Sequence, residues 1–253
     1  MLFEGEKAKE LLYYGSTIDD VRQLLSKQRV VEERTYKYAQ TRIFSRMALS
    51  MCEILVLVSN GYPNGAFSLS RQVYEGLVIM DYLREYSCDE NLIERFFDSS
   101  SISRLQLLRQ TQVDRKQSTQ IEDQQLADYA KKYSNFCSAN GRFKAYWWAG
   151  KDYTFTELSS KTRFKINYMY KHSCAITHMS FLNSHLHLGN HENDILIGES
   201  EEGIDTPLCF AMICFADAMN IFSKVIDENW SEVIEKAARC IKYFSPDVPN
   251  SDT

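Results

Sequence analysis

Turn-forming residues are scarce in this sequence, and that scarcity constrains the fold more than any motif does. Four prolines and ten glycines punctuate 253 residues, too few for the many tight turns of an all-β chain. Between them apolar residues recur at helical spacing, as at Ile43, Met47, Ile54 and Val58. Good helix formers fill the intervening positions. The expectation is an all-α fold, a single multi-helix bundle carrying an aromatic, basic loop region and an acidic loop.

The strongest loop signal is Asn60-Gly61-Tyr62-Pro63-Asn64-Gly65. It separates a helix expected over 32–59 from one expected over 66–86. The second of these is apolar on both sides, with Leu69, Val73, Leu77 and Met80 on one face and Val78 and Tyr82 on the other, as a central helix requires. Upstream, residues 5–34 read as a charged helix or helix pair broken near Gly15. Downstream, helices are expected over 90–112, 126–139 and 157–184, with a polar stretch from 114 and an irregular aromatic one over 142–156. One or two closing helices lie within 207–244. This divides the chain into a helical extension (1–31), a helical bundle domain (32–245) and a disordered tail (246–253).

Seven cysteines are scattered without a C-x-x-C pair, as in a reducing compartment. The first ten residues lack the apolar core of a signal peptide. The longest apolar stretches, 47–58 and 207–222, fall short of the ~20 residues that cross a bilayer. These features predict a cytoplasmic protein with no membrane partner, and a homodimer is the commonest assembly for such bundles.

The net charge of −5 is unevenly spread. Residues 142–171 carry a local excess of +5, leaving −10 for the rest, and six acids without a Lys or Arg follow over 192–205. Within the basic block, Lys151, Lys161 and Arg163 alternate with Trp148, Tyr168, Tyr170 and other rings. Cations for phosphates beside rings for bases are what RNA or nucleotide binding needs. An aromatic loop packed on the bundle with lysines at its rim would read the same way.

Arg71 and Glu75 stand four apart, so they share a helix face and can pair. Val78 and Tyr82 on that face suggest that it is covered, which makes a polar network an alternative to surface decoration. All five histidines lie between His172 and His191. Their spacing matches no zinc or di-iron pattern, so no metal and no cofactor is expected. His185, His187 and His191 read as loop and helix-end residues. His178, set among hydroxyls and small apolar residues, reads either as a satisfied core histidine or as a general acid/base.

Three segments together resemble a bacterial and phage-associated helical family catalogued as domain of unknown function 5677. They are Ala66 to Glu75 with Tyr82-Leu83, matching its R-x-x-x-E helix; Trp148-Ala149-Gly150-Lys151 with Lys161, matching its W-x-G-K element; and Tyr170 to Ser180, matching its tyrosine, serine and histidine helix through Ser173 and His178. The resemblance spans roughly residues 32–225 and implies an all-α bundle that brings Arg71, Glu75, Trp148 and His178 toward one region. It implies no established activity. A looser similarity is to the HEPN ribonucleases, which place an arginine and a histidine close together on one helix. No arginine lies between Lys171 and His178, so here the arginine would come from another helix.

Two functions are therefore expected as alternatives, both in a bacterial or phage defence or mobile-element system. One is a metal-independent ribonuclease or other phosphodiester-acting enzyme with Arg71, Glu75, Ser173 and His178 in the catalytic site. In it Trp148, Lys151, Lys161, Arg163 and Tyr170 bind RNA or a nucleotide. The other is a non-catalytic helical sensor or regulatory module, partnered by a protein of the same cassette, in which Arg71, Glu75 and His178 form a structural network.

Overall fold

The computed structural model describes residues 4–28, 32–177 and 203–244. His178, His185, His187 and His191, the acidic stretch up to residue 202 and the tail expected over 246–253 lie outside the described residues. Among the described residues there are nine α-helices and no strand. They are α1 (Gly5–Ser26), α2 (Tyr36–Ser59), α3 (Pro63–Glu85), α4 (Glu90–Asp114), α5 (Gln120–Lys132), α6 (Phe155–Ser160), α7 (Tyr168–Thr177), α8 (Asp205–Ile226) and α9 (Ser231–Phe244). The all-α expectation holds. The chain divides into two compact units, the first made of Met1–Val31, Gln40–Met80 and Ile166–Thr253, the second of Glu32–Ala39 and Asp81–Lys165.

The helix ends follow local chemistry. Beyond Ser59 the chain turns through Gly61, whose φ of +77° is the left-handed conformation that a side chain disfavours. Pro63 then opens α3, where its missing N–H would have had no helical partner anyway. The Asp89 carboxylate accepts from the Leu92 N–H at 3.2 Å and starts α4 at the expected place. Several expected boundaries moved: α2 starts at Tyr36 and α3 at Pro63, and the helix expected over 126–139 is α5, Gln120–Lys132, which takes in part of the stretch read as polar. α1 runs unbroken through Gly15, where the missing side chain makes room for Leu55, 3.2 Å from where a Cβ would stand. The glycine thus lets another helix approach closely instead of ending its own. The helix expected over 157–184 starts early, at a capping box in which Glu157 N–H donates to Thr154 Oγ1 and Thr154 N–H to Glu157 Oε2. It breaks after Ser160, where the Arg163 and Phe164 N–H groups donate to the Asp81 and Thr162 side chains instead of to helical carbonyls.

In the first unit α1 buries Leu11, Tyr14, Ile18 and Val21, one apolar stripe at helical spacing. The centre of the core is aromatic. Phe44 stacks on Phe222 at 4.5 Å and on Phe215 at 5.1 Å, with the Trp230 ring edge-on at 5.6 Å. α8 packs against α9, and α9 against α1. At 22 residues α8 is longer than the apolar run read from the sequence, and among the described residues it is the one helix long and apolar enough to cross a membrane. Twelve of its residues are buried, so packing within the unit covers much of that apolar surface.

The second unit is built around α4, α5 and the turns after α5. Its core rings are Trp147, enclosed by Tyr133, Phe143 and Phe136, and Trp148, edge-on to Phe96 at 5.0 Å and to Tyr82 at 5.6 Å. Two buried carboxylates hold its segments together. Asp98, 3% exposed, accepts from Arg34 at 2.6 Å, Lys132 at 2.8 Å and the Tyr133 hydroxyl at 2.6 Å. Asp81, 1% exposed, accepts from the Arg163 backbone N–H at 3.0 Å, from Arg163 Nε at 3.2 Å and from Arg84 at 2.7 Å.

Candidate functional site

A 3.6-residue repeat puts positions 67, 71 and 75 of α3 on one stripe. That stripe meets α7 within the first unit. Phe67 touches His172, with ring centroids 5.2 Å apart. One turn on, the Arg71 guanidinium lies 5.4 Å from the centre of the Tyr170 ring. Arg71 Nε donates to Glu75 Oε1 at 2.7 Å, and the Tyr170 hydroxyl donates to the same oxygen at 3.2 Å. Ser173, one turn further along α7, is fully buried and donates its hydroxyl to the Tyr170 carbonyl at 2.8 Å.

This geometry shifts ionisation in a consistent sense. Burial opposes the charge on Arg71, but the hydrogen bond and charge of Glu75 outweigh it and hold the guanidinium above its ordinary value. Burial raises the Tyr170 hydroxyl, and the Glu75 carboxylate raises it further against the opposing pull of Arg71. Tyr170 therefore stays protonated and acts as a donor. Arg71 and Glu75 keep 24% of their side-chain surface exposed. The result is a fixed cation, carried on a carboxylate and an aromatic face, with access to solvent.

Three sequence-predicted residues, Arg71, Glu75 and Tyr170, come together in this way, and Ser173 follows on the same helix as Tyr170 with its hydroxyl on the Tyr170 carbonyl. Tyr170 enters as the third member of the Arg–Glu pair, whereas the sequence suggested it only as a ring for nucleotide binding. His178 lies outside the described residues. The other four, Trp148, Lys151, Lys161 and Arg163, belong to the second unit. Trp148 is 3% exposed, and its carbonyl accepts from Arg95 at 3.0 Å. A ring so enclosed has no free face for a base, so its role is packing and the stacking role expected of it is withdrawn. Lys151 and Lys161 are exposed. Arg163 is bound to Asp81, and that attachment was missed because the two are 82 residues apart in sequence.

The other residues that sequence reasoning missed are Asp81 and Asp98. The one available signal was an acid standing among apolar neighbours, as Asp98 does after Phe96 and Phe97. A cleft of about 540 Å³ lined by Arg104, Leu105, Gln125, Tyr129 and Lys132 contains none of the predicted residues. No group of three or more His, Cys, Asp or Glu able to hold a metal ion occurs among the described residues. The histidines after His172 are not among them.

The family model described as "Family of unknown function (DUF5677)" matches residues 37–195, more than half of the chain and a span that includes both α3 and α7. No curated protein matches the chain, and no solved structure matches it.

Proposed function

We propose that this chain, which belongs to the family of unknown function DUF5677, is a metal-independent ribonuclease or related phosphodiester-acting enzyme. The observation that carries the reading is Arg71, fixed by Glu75 and Tyr170 yet open to solvent. A cation held rigidly before the substrate arrives suits the charge that develops on phosphorus during cleavage, because no reorganisation is needed at the moment of reaction. Glu75 and Tyr170 aim the guanidinium. His178, the residue that follows α7 in sequence, moves the proton. It takes the proton of the attacking 2′-hydroxyl as the P–O2′ bond forms and gives it to the leaving 5′-oxygen as the P–O5′ bond breaks, so that a 2′,3′-cyclic phosphate remains. The setting we read for this activity is a cytoplasmic one, in a bacterial or phage defence or mobile-element system.

A gel assay of RNA cleavage by purified protein, paired with melting curves, tests this. Arg71→Ala and His178→Ala are expected to lower the cleavage rate about 100-fold or more, the usual effect of removing one preorganised charge donor. Their melting temperatures should stay near that of the wild type. Variants that cleave at the wild-type rate would sink the reading. One observation favours the alternative of a non-catalytic sensor or regulatory module: Glu75 already neutralises Arg71 and accepts the hydrogen bond of the Tyr170 hydroxyl, as in a structural network. In that case the same substitutions lower the melting temperature and no RNA is cleaved.

A further inference from the structure

Among the large apolar and aromatic residues that are exposed, Tyr168 is the most exposed of those described, at 73%. It is not a loose side chain. Its ring lies 5.7 Å from that of His172, at an interplanar angle of 26°, a stacked arrangement made possible by their i,i+4 spacing on α7. His172 is braced in turn by the buried ring of Phe67 at 5.2 Å and 67°. Three rings thus form a ladder from the core outward. With one side of Tyr168 against His172 and most of its surface in solvent, a flat apolar face remains uncovered. Lys171, also exposed, is its neighbour on α7.

The ladder is in register with the polar cluster. Phe67 and Arg71 are four apart on α3, a separation of about 6 Å along the helix axis. The rings lean on the first and the phosphate-binding candidate is the second. The Tyr168 ring lies two ring spacings further out, 5.2 Å from Phe67 to His172 and 5.7 Å from His172 to Tyr168, so a base stacked on it and a phosphate at Arg71 belong to different nucleotides of one strand. We infer that Tyr168, backed by His172 and Phe67, is a stacking platform for one base of a single-stranded nucleic acid, another of whose nucleotides places its phosphate at Arg71. The inference rests on the phosphodiester reading above and names the substrate class, single-stranded RNA. Stacking is tolerant of sequence because every base has an aromatic face. Lys171 supplies a cation for the backbone beside it.

The test uses the full chain and a fluorescein-labelled 2′-O-methyl octa-adenosine, which lacks the free 2′-hydroxyl and so reports binding without cleavage. Anisotropy is read at one fixed ionic strength, since phosphate contacts vary with salt. Tyr168→Ala is expected to weaken binding roughly 5- to 150-fold, Tyr168→Leu by a similar factor, and Tyr168→Phe by less than about twofold, since the face rather than the hydroxyl is used. An oligomer of the same length without bases should bind the wild type as weakly as the octamer binds Tyr168→Ala. Equal binding by wild type and Tyr168→Ala, or of the octamer and its abasic counterpart, overturns the platform, as does absence of octamer binding. Cleavage of unmodified RNA is scored separately. A wild type that binds through Tyr168 yet cleaves nothing leaves the platform standing and sinks the ribonuclease reading, and cleavage lost in Arg71→Ala but unaffected in Tyr168→Ala does the reverse.

Discussion

Removing the carboxylate of Asp98 should destabilise the second unit more than any surface ion-pair substitution, and the structure allows the size of the effect to be worked out. Asp98 accepts from three donors in different environments: Arg34 and Lys132 keep 50% and 46% of their side chains exposed, whereas Tyr133 is 8% exposed. In Asp98→Ala the two cations can turn to water, so their loss amounts to less than about 1 kcal/mol each. The Tyr133 hydroxyl cannot do so, and a buried donor left without an acceptor costs about 1–3 kcal/mol. The total is about 2–4 kcal/mol. Asp98→Asn keeps an acceptor for Tyr133 and should cost about half as much. Urea unfolding followed by tryptophan fluorescence measures both, since Trp147 and Trp148 belong to this unit. pH supplies a second readout. Burial works to raise the Asp98 pKa, but the hydrogen bonds from Lys132, Tyr133 and Arg34 prevail and hold it below the ordinary carboxylate value. A carboxylate with a lower pKa folded than unfolded stabilises the protein above its unfolded value, near ~3.9, and that stability is lost as pH falls through the folded value. Wild type should therefore lose its advantage over Asp98→Asn as pH drops below ~4. An Asp98→Ala protein within about 0.5 kcal/mol of wild type, the range of an ordinary surface change, would refute the reasoning.

Other outcomes follow from the same packing. Phe44→Ala removes a ring stacked between Phe215 and Phe222 and fully buried, and should cost about 3–5 kcal/mol in chemical denaturation. Among the thiols, Cys88 is exposed, whereas burial pushes the Cys214 and Cys240 thiols up. An aromatic disulfide reagent at mildly alkaline pH should label Cys88 in the native protein and reach Cys214 and Cys240 only on unfolding.

How far the sequence discloses this molecule depends on the range over which each interaction acts. The break between α2 and α3, the start of α4 at Glu90 and the pairing of Arg71 with Glu75 are settled within a few residues, and all three could be read directly. Tyr170 joins Glu75 across 95 residues and Arg34 joins Asp98 across 64. No local pattern marks such a pair, because an acid that will be buried looks like any acid on a helix until its partners are known. Trp148 shows the converse ambiguity. Rings beside lysines describe a nucleic-acid surface and a covered core equally well, and only its burial against Phe96 and Tyr82 separates them. Two of the expected helix boundaries that moved had short-range causes that were open to either reading: Gly15 as a break or a close approach, Thr154 and Glu157 as loop or cap.

Comparison of the two arginines named by the sequence indicates which of them a phosphate could recruit. Each sits beside an aromatic ring and holds a carboxylate, Arg71 with Tyr170 and Glu75, Arg163 with Phe164 and Asp81. The difference lies in the acceptor. Asp81 is 1% exposed, so a phosphate that drew Arg163 away would strip a buried carboxylate of a partner, leaving Arg84 to hold it. Glu75 is 24% exposed and keeps the Tyr170 hydroxyl, so Arg71 can share itself with an incoming anion while water makes up the deficit. Arg163→Ala should therefore register as lost stability, about 1–2 kcal/mol because the backbone N–H and Arg84 still reach Asp81, with affinity for a single-stranded oligonucleotide nearly unchanged. Arg71→Ala should register in the opposite column, as lost binding and cleavage with a small change in melting temperature. Measuring both quantities for both variants decides the matter: if Arg163→Ala proves the binding mutant and Arg71→Ala the unstable one, acceptor burial is the wrong criterion and the functional cation belongs to the second unit.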